Sequence, residues 1–294
     1  QGKHRLAKDN WFAKSNAHNT AIAMAEDGHI AFVDDLSVLM PGWLARARAA
    51  VDGDYIALGA YKKLLEMVVE NGEVKQGMAW AVCQDESCGI RILLDVNMNI
   101  LRVDGKLGNR QPELNGDEVI CACGRKCIVT GRDSRWIAGS DQRIVRVNGG
   151  AMAGCSVCMP VEALLAINGY DERCDSMGSE DYIAGMMMER AGYKCFYDRR
   201  LLTCESEELH HHAGGWVDTA TGREFKSFGF RRTDKGKSPQ DKSHAILDIA
   251  RKSKRAGNGF DLRELRRIVL AGESFPVRNE PTHDWYDGQK IAEM

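Results

Sequence analysis

The feature that most constrains the fold is a short apolar run that follows a glycine and ends in two aspartates. Residues 30–33 are apolar and lie between Gly28 and the pair Asp34-Asp35. Residues 16–25 precede them with helical spacing, and Gly28 ends that pattern. A bounded run of this length predicts a buried parallel strand. Because ligands of open α/β sheets bind at the carboxyl ends of strands, the two aspartates are expected at a functional site.

The rest of the chain carries weaker signals for helices and strands. Periodicity and stop signals predict helices over residues 41–51, 161–167, 181–191, 238–255 and 261–270, with a helix-like stretch at 64–69. Apolar runs predict strands over residues 55–60, 90–94 and 194–197 and within 119–129. Asn168-Gly169 and Gly192 are expected to end the two central helices, because these residues tolerate positive φ.

A second acidic pair, Glu180-Asp181, lies at the predicted start of the helix over 181–191. The helix dipole favours carboxylates at this position and keeps them ionised. One carboxylate of such a pair can hold an acceptor hydroxyl while the other takes its proton. The alternative is a helix start with two solvated acids. The pair therefore suggests a group-transfer site.

Two blocks of the chain, residues 11–60 and 148–213, resemble family 2 glycosyltransferases and their galactosyltransferase-like relatives. The first block contains Ser15-Asn16-Ala17-His18-Asn19, the run 30–33 with Asp34-Asp35, and Pro41-Gly42-Trp43. The second contains Gly149-Gly150, Asn168-Gly169-Tyr170-Asp171, Gly178-Ser179-Glu180-Asp181 and Ala191-Gly192-Tyr193.

The resemblance implies a fold, an activity and a set of site residues. The implied fold is α/β of the GT-A type, a Rossmann-like mixed sheet flanked by helices, over residues 1–222 with a cysteine-containing insertion at about 61–147. The implied activity is transfer of a sugar from a nucleotide-sugar donor to an acceptor hydroxyl with inversion. Asp181 would be the base and Glu180 would bind the acceptor. Other implied contacts are Asn19, Asp34 and Asp35 to the donor, and Gly150 and Trp216 to the acceptor.

The same resemblance implies a divalent cation, Mn²⁺ or Mg²⁺, at the donor diphosphate. The family binds it with the last acid of a DxD motif and with a downstream histidine. Here the second acid is replaced by Leu36, so that Asp35 is expected to take its place. The expected imidazole ligand is His210 or His211 of the triplet 210–212; a solvated loop is the alternative.

Ten cysteines without secretory features indicate a reducing compartment and mostly free thiols. Cys155 and Cys158 form a CxxC by spacing, but positions i and i+3 of a strand point to opposite faces. In the insertion, five cysteines leave two interpretations open, a structural Zn²⁺ bound by four of them or reduced, half-buried thiols. These are Cys83, Cys88, Cys121, Cys123 and Cys127.

Residues 223–294 are expected to form a basic, mostly helical extension. Its part over 223–267 carries 14 Lys or Arg against 6 Asp or Glu, although the whole chain has a net charge of -2. This excess, with Phe225, Phe228 and Phe230 between the charges, suggests an anionic partner; a solvated helical face is the alternative. The expected acceptor is a glycan, a small molecule or a modified nucleic acid. The competing function is a non-catalytic relative that binds a nucleotide sugar or a nucleic acid.

Two expectations concern the cellular location of the protein and its N-terminal portion. No apolar run approaches 18 residues and residues 1–10 are polar, so we expect no membrane span and no signal peptide, and a cytoplasmic location. Nothing before Asn16 resembles the strand-helix-strand unit with which family 2 enzymes hold the nucleotide base. An N-terminal portion is therefore expected to be missing.

Overall fold

The computed structural model of the 294-residue chain is an α/β structure built on one large sheet. It describes residues 14–34, 37–105, 110–136, 144–174, 179–207, 216–218, 223–225, 249 and 251–273. Within these ranges, helices are too short or too polar to span a membrane.

The described elements are five helices and fourteen strands. The helices are α1 (Lys14–Met24), α2 (Trp43–Asp52), α3 (Val161–Ala166), α4 (Glu180–Arg190) and α5 (Leu262–Leu270). The strands are β1 (His29–Val33), β2 (Ser37–Leu39), β3 (Ile56–Glu70), β4 (Glu73–Cys83), β5 (Arg91–Asp95), β6 (Ile100–Asp104), β7 (Glu113–Asn115), β8 (Glu118–Ile120), β9 (Cys127–Val129), β10 (Ile144–Val147), β11 (Ser156–Pro160), β12 (Cys195–Ser206), β13 (Trp216–Asp218) and β14 (Arg223–Phe225).

Ten strands form the main sheet, which is mixed but mostly antiparallel. Its longest path has the order β1-β11-β3-β4-β5-β6, and β9 pairs with β4. Strand β12 lies parallel to β3 and antiparallel to β2 and β10. Among the described strands, β3 and β12 are the one parallel pair.

The strand before Asp34 differs from its prediction in direction and burial. We expected a buried parallel strand over residues 30–33, but β1 pairs antiparallel with β11, with Ile30 opposite Met159. Only Phe32 is fully buried on β1. The prediction was wrong because a short apolar run specifies neither the direction of its partner strand nor how much of the strand the rest of the fold covers.

The stretch predicted to be helix-like over residues 64–69 is also different. It is the second half of β3, which pairs with β4 up to the facing pair Glu70 and Glu73. Asn71 and Gly72 connect the two strands with φ of 52° and 77°. Asn-Gly with both φ positive is typical of a tight hairpin turn, and this signal outweighs the apolar spacing that suggested a helix.

Local signals placed the other helices well. α3 ends before Asn168 and Gly169, whose φ values are 63° and 79°, and Gly192 follows α4 with φ 96°. α5 begins after Asp261, whose carboxylate accepts the N–H groups of the next turn. α2 begins at Trp43, after the Pro41-Gly42 turn. The prediction over 238–255 falls largely outside the described residues.

The hydrophobic core has two main parts. The larger joins helices α1, α3, α4 and α5 to strands β1, β3 and β11, and includes the fully buried Ile22, Leu164 and Leu262. The smaller lies inside the insertion and contains Ile92 and Val119. Because β3 is long enough to reach both, it joins the insertion to the rest of the molecule. α5 packs on α1, so the described end of the C-terminal extension belongs to the larger core.

Candidate functional site

A lysine side chain joins carboxylates from two distant parts of the chain. Lys14, the first residue of α1, places its Nζ 3.2 Å from Asp34 Oδ1 and 3.3 Å from Glu180 Oε1. Asp34 directly follows β1, and Glu180 begins α4. The side chains of Lys14 and Asp34 are 23% and 25% exposed, whereas that of Glu180 is 5% exposed. With the adjacent Asp181, these residues form a cluster, the lysine–carboxylate cluster, that is open to solvent at Lys14 and Asp34.

Backbone groups hold Asp181 in place. The N–H of Gly154 donates to Asp181 Oδ2 at 2.7 Å, and the N–H of Tyr182 donates to Asp181 Oδ1 at 2.7 Å. Gly154 also makes room for the lysine, because a Cβ at this position would lie 2.8 Å from Lys14 Nζ. Asp181 remains half-buried at the start of α4 while its neighbour Glu180 is buried. Of the two acids on α4, Asp181 is therefore the more accessible.

The charges of the cluster influence one another. Burial raises the pKa of Glu180, Asp181 raises it further, and the Lys14 ammonium opposes both. Burial acts against the charge of Lys14, but Glu180, Asp34 and Asp181 together outweigh it and raise the lysine pKa. Lys14 is thus a permanent cation, and one ammonium faces three carboxyl groups.

Aromatic side chains form the base of the cluster. The His18 ring lies 4.3 Å from that of Phe32 and 4.5 Å from that of Tyr170, measured between centroids. Burial, helped by Lys14, lowers the pKa of His18 to about 4, so the imidazole is neutral at pH 7. His18 Nδ1 and the Tyr170 hydroxyl have no hydrogen-bond partner within the described residues. Buried polar atoms without partners are rare, and a bound ligand is one way to satisfy them.

A further acid lies near Asp34. Glu205, buried on β12, accepts a hydrogen bond from Ser37 Oγ at 3.4 Å. Burial first, and Asp34 second, raise the pKa of Glu205 to about 7. This carboxyl group therefore titrates at neutral pH.

The sequence did not indicate four residues of this site as functional. They are Lys14, His18, Tyr170 and Glu205. Lys14 and His18 carry a detectable signal, because positions i and i+4 share one face of a helix. Tyr170 and Glu205 carry none in their own spacing, since only the tertiary fold buries them near Asp34 and the acids of α4.

Of the other predicted site residues, three lie within the described part of the chain and three lie outside it. Asn19 is buried; its amide nitrogen donates to the Tyr170 carbonyl at 2.9 Å and its oxygen accepts the Tyr170 N–H at 2.8 Å. Gly150 lies in a short 3₁₀ turn, where a Cβ would be 3.0 Å from the Tyr182 ring. Trp216 begins β13. The remaining predicted ligands, Asp35, His210 and His211, lie outside the described residues.

Four cysteines of the insertion form a second candidate site. The sulfur atoms of Cys83, Cys88, Cys121 and Cys123 all lie within 4.8 Å of one another. The Cys83 and Cys123 sulfurs are 3.5 Å apart, and those of Cys88 and Cys121 are 3.6 Å apart. This four-cysteine cluster can hold a metal ion.

Cys155 and Cys158 behave as separate buried thiols. The Cys155 thiol donates to the Ala153 carbonyl, and the Cys158 thiol donates to the Ala47 carbonyl, each at 3.8 Å. Burial raises the pKa of Cys155 to about 12 and that of Cys158 to about 11. Both therefore stay protonated at neutral pH.

Three arginines of α5 make ion pairs. Arg263 contacts Glu162, and Arg266 contacts Asp27 at 2.9 Å. Arg267 bridges two acids of its own segment, Glu264 and Glu273. Most of the remaining basic residues lie outside the described part of the chain, among them Arg231 and Arg232. Phe228 and Phe230 lie outside it as well.

The chain was compared with models of protein families and with curated protein sequences. The chain matches neither a model of a known protein family nor a curated protein sequence.

Proposed function

We propose that this chain is a glycosyltransferase that moves a sugar from a nucleotide-sugar donor to an acceptor hydroxyl, on a fold of the GT-A type. The observation that carries the proposal is the lysine–carboxylate cluster, in which the acid after β1 and the acidic pair that begins α4 lie together. The family 2 resemblance includes the same two acidic motifs, in the same order. The cluster's open side at Lys14 and Asp34 would admit the substrates.

Asp181 is the proposed base. As its carboxylate takes the acceptor's hydroxyl proton, the acceptor oxygen forms a bond to the anomeric carbon of the donor. The bond from that carbon to the diphosphate breaks on the opposite face, and its electron pair leaves with the nucleoside diphosphate. Two backbone N–H groups fix the Asp181 oxygens, which supports a positioned proton acceptor. Glu180, held by Lys14, would accept a hydrogen bond from the acceptor.

A divalent cation is the less supported part of the proposal. Mn²⁺ and Mg²⁺ prefer several oxygen ligands, but the described donors near β1 do not provide a free set, because Lys14 contacts the Asp34 carboxylate. Asp35, His210 and His211 would have to complete the site. The proposed reaction therefore uses side chains alone, and Mn²⁺ or Mg²⁺ stays a prediction.

The four-cysteine cluster favours a different ion. We propose Zn²⁺ there, because thiolates are soft ligands and four of them give the closed tetrahedral geometry of structural zinc sites. This ion would be distinct in place and chemistry from one at the donor diphosphate.

A second candidate function is a non-catalytic relative that binds a nucleotide sugar or a nucleic acid. It is favoured by Leu36, which stands where the family's DxD motif has its second acid. A binding protein would have no need for a base, so that the function of Asp181 separates the two candidates.

The deciding experiment measures nucleoside diphosphate release from a panel of UDP, GDP and dTDP sugars, with Mn²⁺ and with excess chelator. We expect one donor to be consumed, and Asp181→Asn to lower its turnover by about 10² while donor binding stays nearly unchanged. Asp27→Asn, at a largely exposed acid, is the matched control and should match the parent. Equal turnover in the parent and Asp181→Asn would refute the base. Donor binding without turnover would favour the binding protein, and full activity in chelator would exclude the cation.

A further inference from the structure

The four-cysteine cluster is built from two turns that the sheet places side by side. Cys83 ends β4 and Cys88 lies in the turn before β5. Cys121 and Cys123 lie in the turn between β8 and β9. Strands β4 and β9 are antiparallel neighbours, with Cys83 opposite Cys127, which brings the two turns together.

The distances between the sulfurs fit one tetrahedral ion. Zinc–sulfur bonds of about 2.3 Å in a tetrahedron separate the ligand sulfurs by about 3.8 Å. The recorded separations of 3.5 Å and 3.6 Å are slightly shorter than this value, and all four sulfurs lie within 4.8 Å. Disulfide-bonded sulfurs would be about 2.05 Å apart. All four cysteines are free thiols in the structure.

A backbone N–H group points at the sulfur of Cys83. The N–H of Asp85 donates to Cys83 Sγ at 3.4 Å. Sulfur is a weak acceptor as a neutral thiol, and a charged acceptor makes a stronger bond. The hydrogen bond to Cys83 would therefore be stronger when a metal ion holds this sulfur as a thiolate.

The segment around the cluster is built from short strands. Strands β7, β8 and β9 have three residues each. Hairpins of this size are marginal in water without further support. The small core of the insertion is built from strands and turns and includes Cys83, Cys121 and Cys127 themselves. A cross-link between the two turns would therefore add substantially to its stability.

We propose that Cys83, Cys88, Cys121 and Cys123 bind one Zn²⁺ as a closed structural site that holds the β8–β9 turn on the β4–β5 turn, and that Cys127 is not a ligand. This inference rests on the zinc assignment proposed above but not on the transferase activity. With four protein ligands the ion has no open position for a substrate.

The position of the site gives the ion an effect beyond the insertion. Asp117, in the turn before β8, accepts a hydrogen bond at its carbonyl from Arg132 at 2.7 Å and pairs with Arg199 of β12 at 2.5 Å. Loss of the ion would loosen the β8–β9 hairpin and with it these contacts. The effect should decrease with distance from the hairpin, because α1, α3 and α4 pack in the other core.

The test is the metal content of the purified 294-residue chain, measured by mass spectrometry with thiols kept reduced. We expect about one zinc per chain in the parent and in Cys127→Ser, and at least a tenfold loss in Cys88→Ser and Cys123→Ser. Cys127→Ser is the matched control because Cys127 is buried beside the cluster. A reduced parent without bound metal would overturn both the zinc and the ligand set. Zinc loss in Cys127→Ser but not in Cys123→Ser would overturn the ligand set alone.

Hydrogen exchange of the parent before and after chelation tests the structural function, even where a variant fails to fold. We expect amides of residues 83–88 and 118–129 to lose protection when the ion is removed and to regain it with added Zn²⁺, while those of α3 and α4 change little. Unchanged protection in the insertion after metal removal would overturn the structural function.

Discussion

At the level of single residues, one ammonium group in the candidate site, that of Lys14, faces three carboxyl groups. Lys14 contacts Asp34 and Glu180, and Asp181 raises the pKa of Glu180 in addition to burial. An acid cluster of this kind is sensitive to burial, because the interior solvates charges poorly. Glu205 has the same sensitivity, because burial raises its pKa and the nearby Asp34 raises it further.

The raised pKa of Glu205 predicts a dependence of stability on pH. Its pKa is about 7 in the folded protein against an ordinary 4.5. The folded state therefore holds this proton more tightly than the unfolded state. The resulting stabilisation is fully present below about pH 4.5 and is lost as pH rises to about 7. At pH 8 the ionised, buried group should cost up to about 3 kcal/mol.

Glu205→Gln, which mimics the protonated group, should therefore unfold at higher denaturant concentration than the parent at pH 8. The difference between variant and parent should shrink toward pH 5. Glu113→Gln, at an exposed position on β7, is the control and should follow the parent at both pH values. A variant that is less stable than the parent at pH 8 would show that folding does not raise this pKa.

At the scale of elements, local chemistry predicted the helices better than the strands. Asn168-Gly169 and Gly192 mark helix ends by tolerating positive φ, a property of the residues themselves. The direction of β1 and the full length of β3 depend on β11, β12 and β4, which are distant in sequence. For the same reason the sequence indicated Glu180 and Asp181 as candidate site residues but not Tyr170, because only the tertiary fold brings Tyr170 close to them. The cysteines of the insertion were recognised as candidate ligands, but their pairing required the register of β4 and β9.

Helix α5 offers a direct test of whether the C-terminal extension helps to stabilise the core. Leu262 is fully buried against α1 and the turn at Asn168, whereas Leu270 at the other end of the helix is 50% exposed. Leu262→Ala should reduce the free energy of unfolding by about 2–5 kcal/mol, the usual cost of a cavity in a packed core. Leu270→Ala should change it by less than about 0.5 kcal/mol.

Chemical denaturation of both variants measures this difference, since each shortens a leucine in the same helix. Equal, small effects would mean that α5 does not depend on Leu262 for its packing. A large effect of Leu270→Ala would instead indicate that its exposed surface is covered in solution.

For the molecule as a whole, one sheet connects two candidate sites that lie beside different parts of the core. β3 runs from the core beneath the lysine–carboxylate cluster to the core of the insertion, where the four-cysteine cluster lies. Charge is segregated as well. Residues 223–267 carry an excess of eight positive charges in a chain whose net charge is -2. The lysine–carboxylate cluster and the basic segment therefore differ in the sign of their excess charge.

This segregation predicts that an anionic acceptor binds less tightly as salt rises. Ionic screening shortens the Debye length to about 8 Å at physiological ionic strength, so a contact made by charge must weaken. The measurement is the affinity for an anionic acceptor, with single-stranded DNA as the probe, at two salt concentrations. Arg231→Ala/Arg232→Ala should weaken binding and reduce the salt dependence. Arg263→Ala is the control, because Glu162 already neutralises this arginine, and it should bind like the parent. If affinity responds neither to salt nor to the double substitution, the positive charges form only a solvated surface. Uncharged acceptors then become the better candidates for the site at Asp181.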